Sequence, residues 1–126
     1  MGLSVTFARA HSGDYSVEAN YDTSILESVE LDATGSKSIY VDFWYRWDSL
    51  ETSDEIDLWY WDGLSWNHQH DEIFFKGEGS SGGWIYFSER IDDSRYFIND
   101  FKIKFTNSFS HSSDLFKIDD VSIIQN

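Results

Sequence analysis

The fold class of this chain is indicated most clearly by the stretch Ile39-Tyr40-Val41-Asp42-Phe43-Trp44-Tyr45-Arg46-Trp47. Every second residue from Ile39 onward is apolar or aromatic, whereas the positions between them include the charged Asp42 and Arg46. Side chains of a β-strand point alternately to the two faces of its sheet, and β-branched and aromatic residues favour strands. The stretch therefore predicts a strand with one buried face and one outward face.

A second alternating stretch lies at residues 55–61 and is followed by a turn signal. Ile56, Leu58 and Tyr60 fall on one side of this stretch, and the intervening residues fall on the other. Asp62-Gly63 comes next, and residues 64–68 resume an extended run. Asp-Gly between two such runs favours a tight turn, because glycine tolerates a positive φ. The sequence therefore predicts a β-hairpin here.

Short strand-like runs also occupy most of the remaining chain. Residues 101–105 alternate without exception, which predicts that Lys102 and Lys104 face solvent. Residues 24–31 fit both a helical face and a strand face, and we predict a strand because their surroundings are strand-like. About nine short strands with frequent turns predict an all-β fold, an antiparallel β-sandwich of the jelly-roll type. We expect a single such module over residues 1–126.

Composition and charge exclude several classes of function. The chain has 126 residues, 9 Lys+Arg against 23 Asp+Glu, a formal charge of −14 and no cysteine. Disulfides, cysteine-based metal sites and thiol nucleophiles are therefore excluded. The negative charge disfavours nucleic acid, and no apolar run is long enough for membrane insertion as a helix. We expect an extracellular or cell-surface module excised from a larger secreted protein.

Motifs that suggest catalysis or a transition metal lack the context that such chemistry needs. The glycine-rich residues 77–83 fit both a dinucleotide-binding and a nucleophile-elbow pattern, but both patterns require a following helix, and the sequence predicts a strand. His68 and His70 share one strand face, and a zinc or copper site there would need a third ligand such as His11 or His111; the alternative is two solvent-facing histidines beside the hairpin. We therefore predict that the protein is not an enzyme.

Outward-facing aromatic residues at the hairpin point to a binding function. If Ile56, Leu58 and Tyr60 face the core, Trp59 and Trp61 face outward, with Trp66 across the hairpin. Aromatic planes bury the apolar C–H face of a sugar ring, while polar neighbours bind its hydroxyl groups. The predicted glycan-binding residues are the three hairpin tryptophans, two polar neighbours and a further tryptophan beside the glycine-rich loop: Trp59, Trp61, Trp66, Asp57, Asn67 and Trp84.

Two other functions fit the same sequence. An exposed aromatic patch also suits a protein surface, so a protein-interaction or adhesion module is one alternative. The other is an accessory domain that stabilises a secreted protease or surface protein and has no ligand of its own. Self-association without sugar would favour the first alternative, whereas a large effect of calcium with no ligand would favour the second.

The last predicted strand, residues 115–124, contains an irregularity that suggests a metal site. Phe116 and Ile118 share one face, but the next apolar residues are Val121 and Ile123, so the alternation shifts by one at Asp119-Asp120. A β-bulge there absorbs the extra residue and redirects a carboxylate. Buried carboxylates need a partner, and oxygen ligands suit Ca²⁺. Alternatively, Asp119 faces solvent and Asp120 bonds to backbone amides.

The second contributor to this metal site is predicted to be the turn at residues 11–14. In a sandwich the first and last strands can lie side by side, which would bring this turn to the bulge.

Four segments together resemble a known group of modules. They are His11-Ser12-Gly13-Asp14-Tyr15-Ser16-Val17, Val41-Asp42-Phe43-Trp44-Tyr45-Arg46, Trp59-Tyr60-Trp61-Asp62-Gly63-Leu64-Ser65-Trp66-Asn67 and Phe116-Lys117-Ile118-Asp119-Asp120-Val121-Ser122-Ile123. Their order and spacing resemble the MAM-like and galactose-binding-like jelly-roll modules of secreted bacterial and archaeal proteins. The likeness covers roughly residues 5–124.

This resemblance implies a β-sandwich with a structural Ca²⁺ that joins the early turn to the last strand. It marks Asp120 as a side-chain ligand next to Asp119, with oxygens near Ser12, Asp14 and Ser16 as partners. It does not choose between carbohydrate binding and assembly or adhesion, because one fold hosts many activities.

Overall fold

The computed structural model describes residues 3–7, 16–20, 23–28, 30–51, 54–70, 79–109 and 113–126, with the backbone alone at 3–7, 16–20, 23, 24, 69, 70 and 120. Nine strands and one short 3-10 helix, Ser94–Tyr96, lie in these ranges. The strands are β1 Leu3–Phe7, β2 Ser16–Asn20, β3 Thr23–Ser28, β4 Ile39–Asp48, β5 Glu55–Trp61, β6 Trp66–His70, β7 Ile85–Ile91, β8 Ile103–Ser108 and β9 Leu115–Gln125.

The strands form two sheets that pack face to face. One sheet has the order β1-β3-β8-β5-β6 and the other the order β2-β9-β4-β7. Neighbouring strands are antiparallel, except that β1 runs parallel to β3. The predicted antiparallel β-sandwich of the jelly-roll type is confirmed, and the ambiguous residues 24–31 contain a strand, as predicted. No helix in the described ranges is long and apolar enough to cross a membrane.

The strand that decided the fold class, β4, contributes one whole face to the core. Its alternate residues from Ile39 to Trp47 are buried. Phe43 stacks on Phe87 of its own sheet at 4.7 Å between ring centroids and meets Phe105 of the other sheet edge-on at 5.1 Å. Each such buried side chain contributes about 1.5–3 kcal/mol. This core fixes which side chains of β4 point outward.

The predicted bulge is present in β9. The β4–β9 register shifts between Asp42, which is opposite Ser122, and Trp44, which is opposite Asp119. Two residues of β9 therefore face the single residue Phe43, which is the geometry of a β-bulge. Because of the extra residue, both Ile118 and Val121 are buried although they are three positions apart.

Contrary to expectation, the first strand does not lie beside the last one; the second strand takes that place. β2, the second strand, pairs with β9, whereas β1 lies in the other sheet beside β3. β1 is the edge strand of the other sheet, next to β3, so it does not flank β9. Ser16 at the start of β2 lies opposite Asp119, which places the residues that follow the early turn beside the bulge.

The predicted Asp62-Gly63 hairpin joins β5 to β6. Gly63 adopts a φ of 94°, which L-residues with a Cβ rarely tolerate. Asp62 accepts hydrogen bonds from Asn67 Nδ2 at 3.0 Å and from the amides of Leu64 and Ser65 at 2.9 and 2.7 Å. These bonds favour the carboxylate form and lower the pKa of Asp62 to about 2. The turn therefore holds β6, which carries Trp66, in register with β5.

Candidate functional site

The outer surface of the hairpin, which we call the β5–β6 face, carries three predicted indoles. Ile56, Leu58 and Tyr60 of β5 are buried, so Trp59 and Trp61 lie on the outer side, as expected. Trp66 of β6 lies directly opposite Trp61, and their ring centroids are 5.3 Å apart. All three indoles are half-buried rather than exposed. Their surroundings explain why.

Trp59 is held between the two strands that flank β5. The imidazole of His68, its cross-strand neighbour on β6, stacks on it at 4.1 Å with an interplanar angle of 15°. Its Nε1 donates a 2.8 Å hydrogen bond to Thr106 Oγ1 on β8. One face of the Trp59 ring is therefore covered by the imidazole of His68, and its Nε1 is already bonded.

Two lysines cover the indoles of this face. The Nζ atom of Lys104 lies 4.4 Å from the ring centroid of Trp66 and 5.4 Å from that of Trp59. Lys102 Nζ lies 5.4 Å from the centroid of Trp61 and 5.5 Å from that of Trp66. Both lysines lie on the outward side of the chain, as predicted, but they are half-buried because their ammonium groups contact the electron-rich ring faces and Lys102 also pairs with Glu27 at 3.0 Å. Burial lowers the pKa of Lys104.

The two polar residues predicted to bind sugar hydroxyls are engaged within the protein. Asp57 Oδ1 lies 3.2 Å from Nε2 of His68, and Asn67 donates to Asp62. His68 thus contacts Asp57 and Trp59 at once. The side chain of His70, the other member of the histidine pair, lies outside the described residues.

A second aromatic surface, which we call the β4–β7 face, lies on the outside of the other sheet. Trp44 of β4 is 40% exposed, Tyr86 of β7 is 53% exposed, and Trp84, just before β7, is 40% exposed. Trp44 and Tyr86 are cross-strand neighbours with ring centroids 5.1 Å apart. Trp84 was predicted as a binding residue, whereas Trp44 and Tyr86 were not. The alternation of residues 39–47 already placed Trp44 outward.

Polar and charged groups surround these exposed rings. The guanidinium of Arg46 lies 5.8 Å from the ring centroid of Trp84 and bonds Asp48 at 3.3 Å. Ser88 Oγ donates to Asp42 Oδ1 at 2.5 Å beside the Trp44–Tyr86 pair. Hydrogen-bond donors and acceptors therefore adjoin exposed aromatic planes, which is the combination that binds sugars.

The predicted calcium ligands are placed only in part. Ser12 and Asp14 lie outside the described residues, and so do the side chains of Ser16 and Asp120. Asp119 is half-buried, opposite both Ser16 and Trp44. Directly opposed residues of an antiparallel pair point to the same face, so Asp119 lies on the outer side with Trp44.

Another acidic group, which sequence reasoning missed, lies at the end of the sandwich. Carboxylate oxygens of Glu51, Asp54 and Asp114 lie within 4.8 Å of one another. Asp54 and Asp114 are each only 1% exposed, and Asp54 accepts a hydrogen bond from the Glu51 amide at 2.7 Å. Oxygen donors of this kind are able to hold a hard cation. No local signal connects Asp114 to the other two, because they are far apart in sequence.

A polar cleft lies between β7 and the 3-10 helix. Tyr60 Oη donates a 2.5 Å hydrogen bond to Glu89 Oε1 across the two sheets, and Tyr96 also lines the cleft. Burial and the nearby Glu89 carboxylate raise the pKa of Tyr60. The phenol therefore stays protonated and donates to Glu89, so this contact joins β5 to β7.

Comparisons with known proteins give a fold but not a family. No family model and no curated protein matches the chain. The carbohydrate-binding module TmCBM61, solved in complex with beta-1,4-galactotriose, is similar over 94% of this chain and 75% of its own, with 20% identity and a TM-score of 0.52. The C-terminal domain of EclA, a sugar-binding protein, matches 90% of this chain and 80% of its own, with 12% identity and a TM-score of 0.48.

The TmCBM61 match agrees with the expected β-sandwich, whereas the MAM-like features are untested. At this level of identity it shows that the chain has a β-sandwich fold similar to that of a carbohydrate-binding module.

Proposed function

We propose that this protein is a non-catalytic carbohydrate-binding module and that its β4–β7 face contacts the sugar. The observation that carries the proposal is the exposure of Trp44, Tyr86 and Trp84 side by side on one outer surface. Exposed aromatic patches of this kind are uncommon on a protein surface without a binding role. A sugar ring removes their apolar area from water and contacts the hydroxyl and carboxylate groups beside them.

Two further observations support a sugar rather than a charged ligand. Arg46 and Arg90 on this face are paired with Asp48 and Asp92, and Asp42 adds a carboxylate beside the rings, so the face does not attract an anionic ligand. The similar module TmCBM61 was solved with a neutral galactose trisaccharide. We therefore propose a neutral glycan as the ligand, bound outside the cell.

Affinity electrophoresis tests this function with four neutral polysaccharides: β-1,4-galactan, β-1,4-glucan, β-1,4-xylan and β-1,4-mannan. We expect at least one of them to retard the protein, and Trp44→Ala to abolish the retardation. Leu64→Ala is the matched control, because Leu64 is fully exposed at the tip of the hairpin. Unretarded migration in all four gels would contradict the proposal, and self-association in sedimentation without sugar would favour a protein-interaction module.

We also propose that a calcium ion stabilises the fold, with Asp120 as a ligand, Asp119 beside it, and oxygens near Ser12, Asp14 and Ser16. The bulge at Asp120-Val121, directly after Asp119, and the placement of Ser16 opposite Asp119 support this site. A metal at 100 times its dissociation constant adds about 2.7 kcal/mol to stability. We therefore expect a higher melting temperature in calcium than in EDTA.

Two variants separate the proposed calcium site from the acidic group at Glu51, Asp54 and Asp114. Asp120→Asn is expected to remove the calcium effect, whereas the exposed control Glu30→Gln keeps it. Loss of the effect in Asp114→Asn alone would place the ion elsewhere and contradict the proposed ligands. Identical melting curves in calcium and EDTA would contradict the proposal that the protein binds a calcium ion.

A further inference from the structure

The β4–β7 face carries apolar groups at two places along its length. The first, the Trp44 cluster, consists of Trp44, Tyr86 and Trp84. The second, the Tyr40 cluster, consists of Tyr40 of β4 and its direct neighbours Arg90 of β7 and Ile124 of β9. The guanidinium of Arg90 lies 5.9 Å from the ring centroid of Tyr40, and Ile124 is 48% exposed. Both clusters point outward because Trp44 and Tyr40 are an even number of residues apart on one strand.

The two clusters are separated by a position that carries a carboxylate and two hydroxyl groups and no apolar side chain. Asp42 lies midway between Tyr40 and Trp44, opposite Ser88 on one side and Ser122 on the other. A strand rises about 3.3 Å per residue, so the four positions from Tyr40 to Trp44 cover about 13 Å. That distance is longer than one pyranose ring. One sugar residue therefore cannot contact both clusters.

The two arginines of this face are each paired with a carboxylate. Arg46 pairs with Asp48 at the end near the Trp44 cluster, and Arg90 pairs with Asp92 at 2.8 Å at the other end. A neutral chain meets no strong attraction or repulsion along such a surface, whereas a polyanion is repelled by the net charge of −14. The face therefore suits an uncharged ligand along its entire length.

We infer that the ligand is a linear neutral polysaccharide and that several consecutive sugars lie along the β4–β7 face, from Trp84 to Tyr40. This inference rests on the proposed carbohydrate-binding function and extends it to the class of ligand. Apolar sugar faces contact the Trp44 cluster and the Tyr40 cluster. A sugar between them exchanges hydrogen bonds with Asp42 and Ser88. The inner part of a chain, rather than one terminal residue, is what the face recognises.

Calorimetric titration with oligosaccharides of increasing length tests the inference. The probes are galacto-, cello-, xylo- and manno-oligosaccharides of one to six sugars, each with β-1,4 linkages. We expect affinity for the preferred series to rise steeply until the chain reaches both clusters and then to level off. Tyr40→Ala should reduce the affinity for the hexasaccharide about tenfold, to that of a short oligosaccharide, because it removes the aromatic partner of the distant sugar.

Controls separate the failure of this inference from the failure of the proposed function. Tyr40→Phe keeps the ring and should retain the affinity, Leu64→Ala should match the wild type, and Arg90→Ala tests the Tyr40 cluster independently if Tyr40→Ala does not fold. Two results would overturn the inference and leave carbohydrate binding intact. One is full affinity for a monosaccharide or disaccharide, and the other is an unchanged hexasaccharide affinity in both Tyr40→Ala and Arg90→Ala. No binding of any series would overturn both.

Discussion

The two outer faces of the sandwich carry similar aromatic residues in opposite states. On the β5–β6 face, Trp59 stacks on His68, and the ammonium of Lys104 lies over both Trp59 and Trp66. On the β4–β7 face, Trp44 and Tyr86 contact each other and remain open to solvent. The difference arises from the direct cross-strand neighbours: β8 places Lys104 opposite Trp59, whereas Trp44 lies opposite Tyr86 of β7 and Asp119 of β9. The Trp44–Tyr86 pair therefore leaves more ring surface open to a ligand than the indoles of the β5–β6 face do.

The largest expected effect is on binding through the β4–β7 face. The double substitution Trp44→Ala with Tyr86→Ala removes both exposed rings of one cross-strand pair. Each aromatic contact at a binding centre contributes about 2 kcal/mol or more, which is about thirtyfold in affinity, so the loss of two rings should lower the affinity for the polysaccharide by more than about thirtyfold. Calorimetry measures this loss, and circular dichroism checks that the variant is folded. A double variant that binds as tightly as the wild type would assign recognition to another surface.

The next effect concerns the β5–β6 face and is one of stability. Trp59→Ala removes a half-buried ring together with its contacts to His68 and Thr106. We expect a loss of about 2 kcal/mol, or about 8 °C in melting temperature, with glycan affinity unchanged. Thermal melts and calorimetry measure the two quantities separately. The opposite pattern, weaker binding with unchanged stability, would show that this face is the binding site after all.

A smaller effect should follow from uncovering the indoles of the β5–β6 face. Lys104→Ser shortens the side chain whose ammonium lies over Trp59 and Trp66. We expect stronger quenching of tryptophan fluorescence by acrylamide, because more indole surface becomes accessible. Lys37→Ser at an exposed lysine is the control and should leave quenching unchanged. Equal quenching in the two variants would mean that Lys104 does not shield the rings.

The smallest effect is the pH dependence of the hairpin turn that positions the β5–β6 face. Asp62 has a pKa lowered to about 2 by hydrogen bonds from Asn67 and two amides. A lowered carboxyl pKa stabilises the fold above the unfolded value of about 3.9, and this contribution is lost as the pH falls toward 2. The difference in melting temperature between wild type and Asp62→Asn should therefore shrink from pH 5 to pH 2. A difference that is constant over this range would show that the carboxylate does not support the turn.

Local patterns in the sequence were enough to predict much of the fold. The alternation in residues 39–47 predicted the buried side of β4, the phase shift at Asp119-Asp120 predicted the bulge, and Asp62-Gly63 predicted the hairpin. Each of these features depends on residues that are close in sequence. The pairing of β2 rather than β1 with β9 could not be derived in this way, because it depends on which strands meet in the folded chain.

The candidate site was less accessible to sequence reasoning for the same reason. Alternation placed Trp59, Trp61 and Trp44 on outer faces, but it could not say what lies across from them. The contact between Lys104 and Trp59 joins β8 to β5, and that between Trp44 and Tyr86 joins β4 to β7. Both pairs are distant in sequence. Trp84 is the predicted residue that the structure places among the exposed aromatic groups.

The most direct test of the account is a titration followed by the indole Nε1–H signals in a nitrogen–proton NMR spectrum. The chain has 6 tryptophans and therefore six such signals, assigned by single substitutions. On addition of the polysaccharide-derived hexasaccharide that binds best, we predict that the signals of Trp44 and Trp84 shift and that those of Trp59, Trp61 and Trp66 stay in place. Shifts confined to Trp59, Trp61 and Trp66 would contradict the account and assign the glycan to the β5–β6 face.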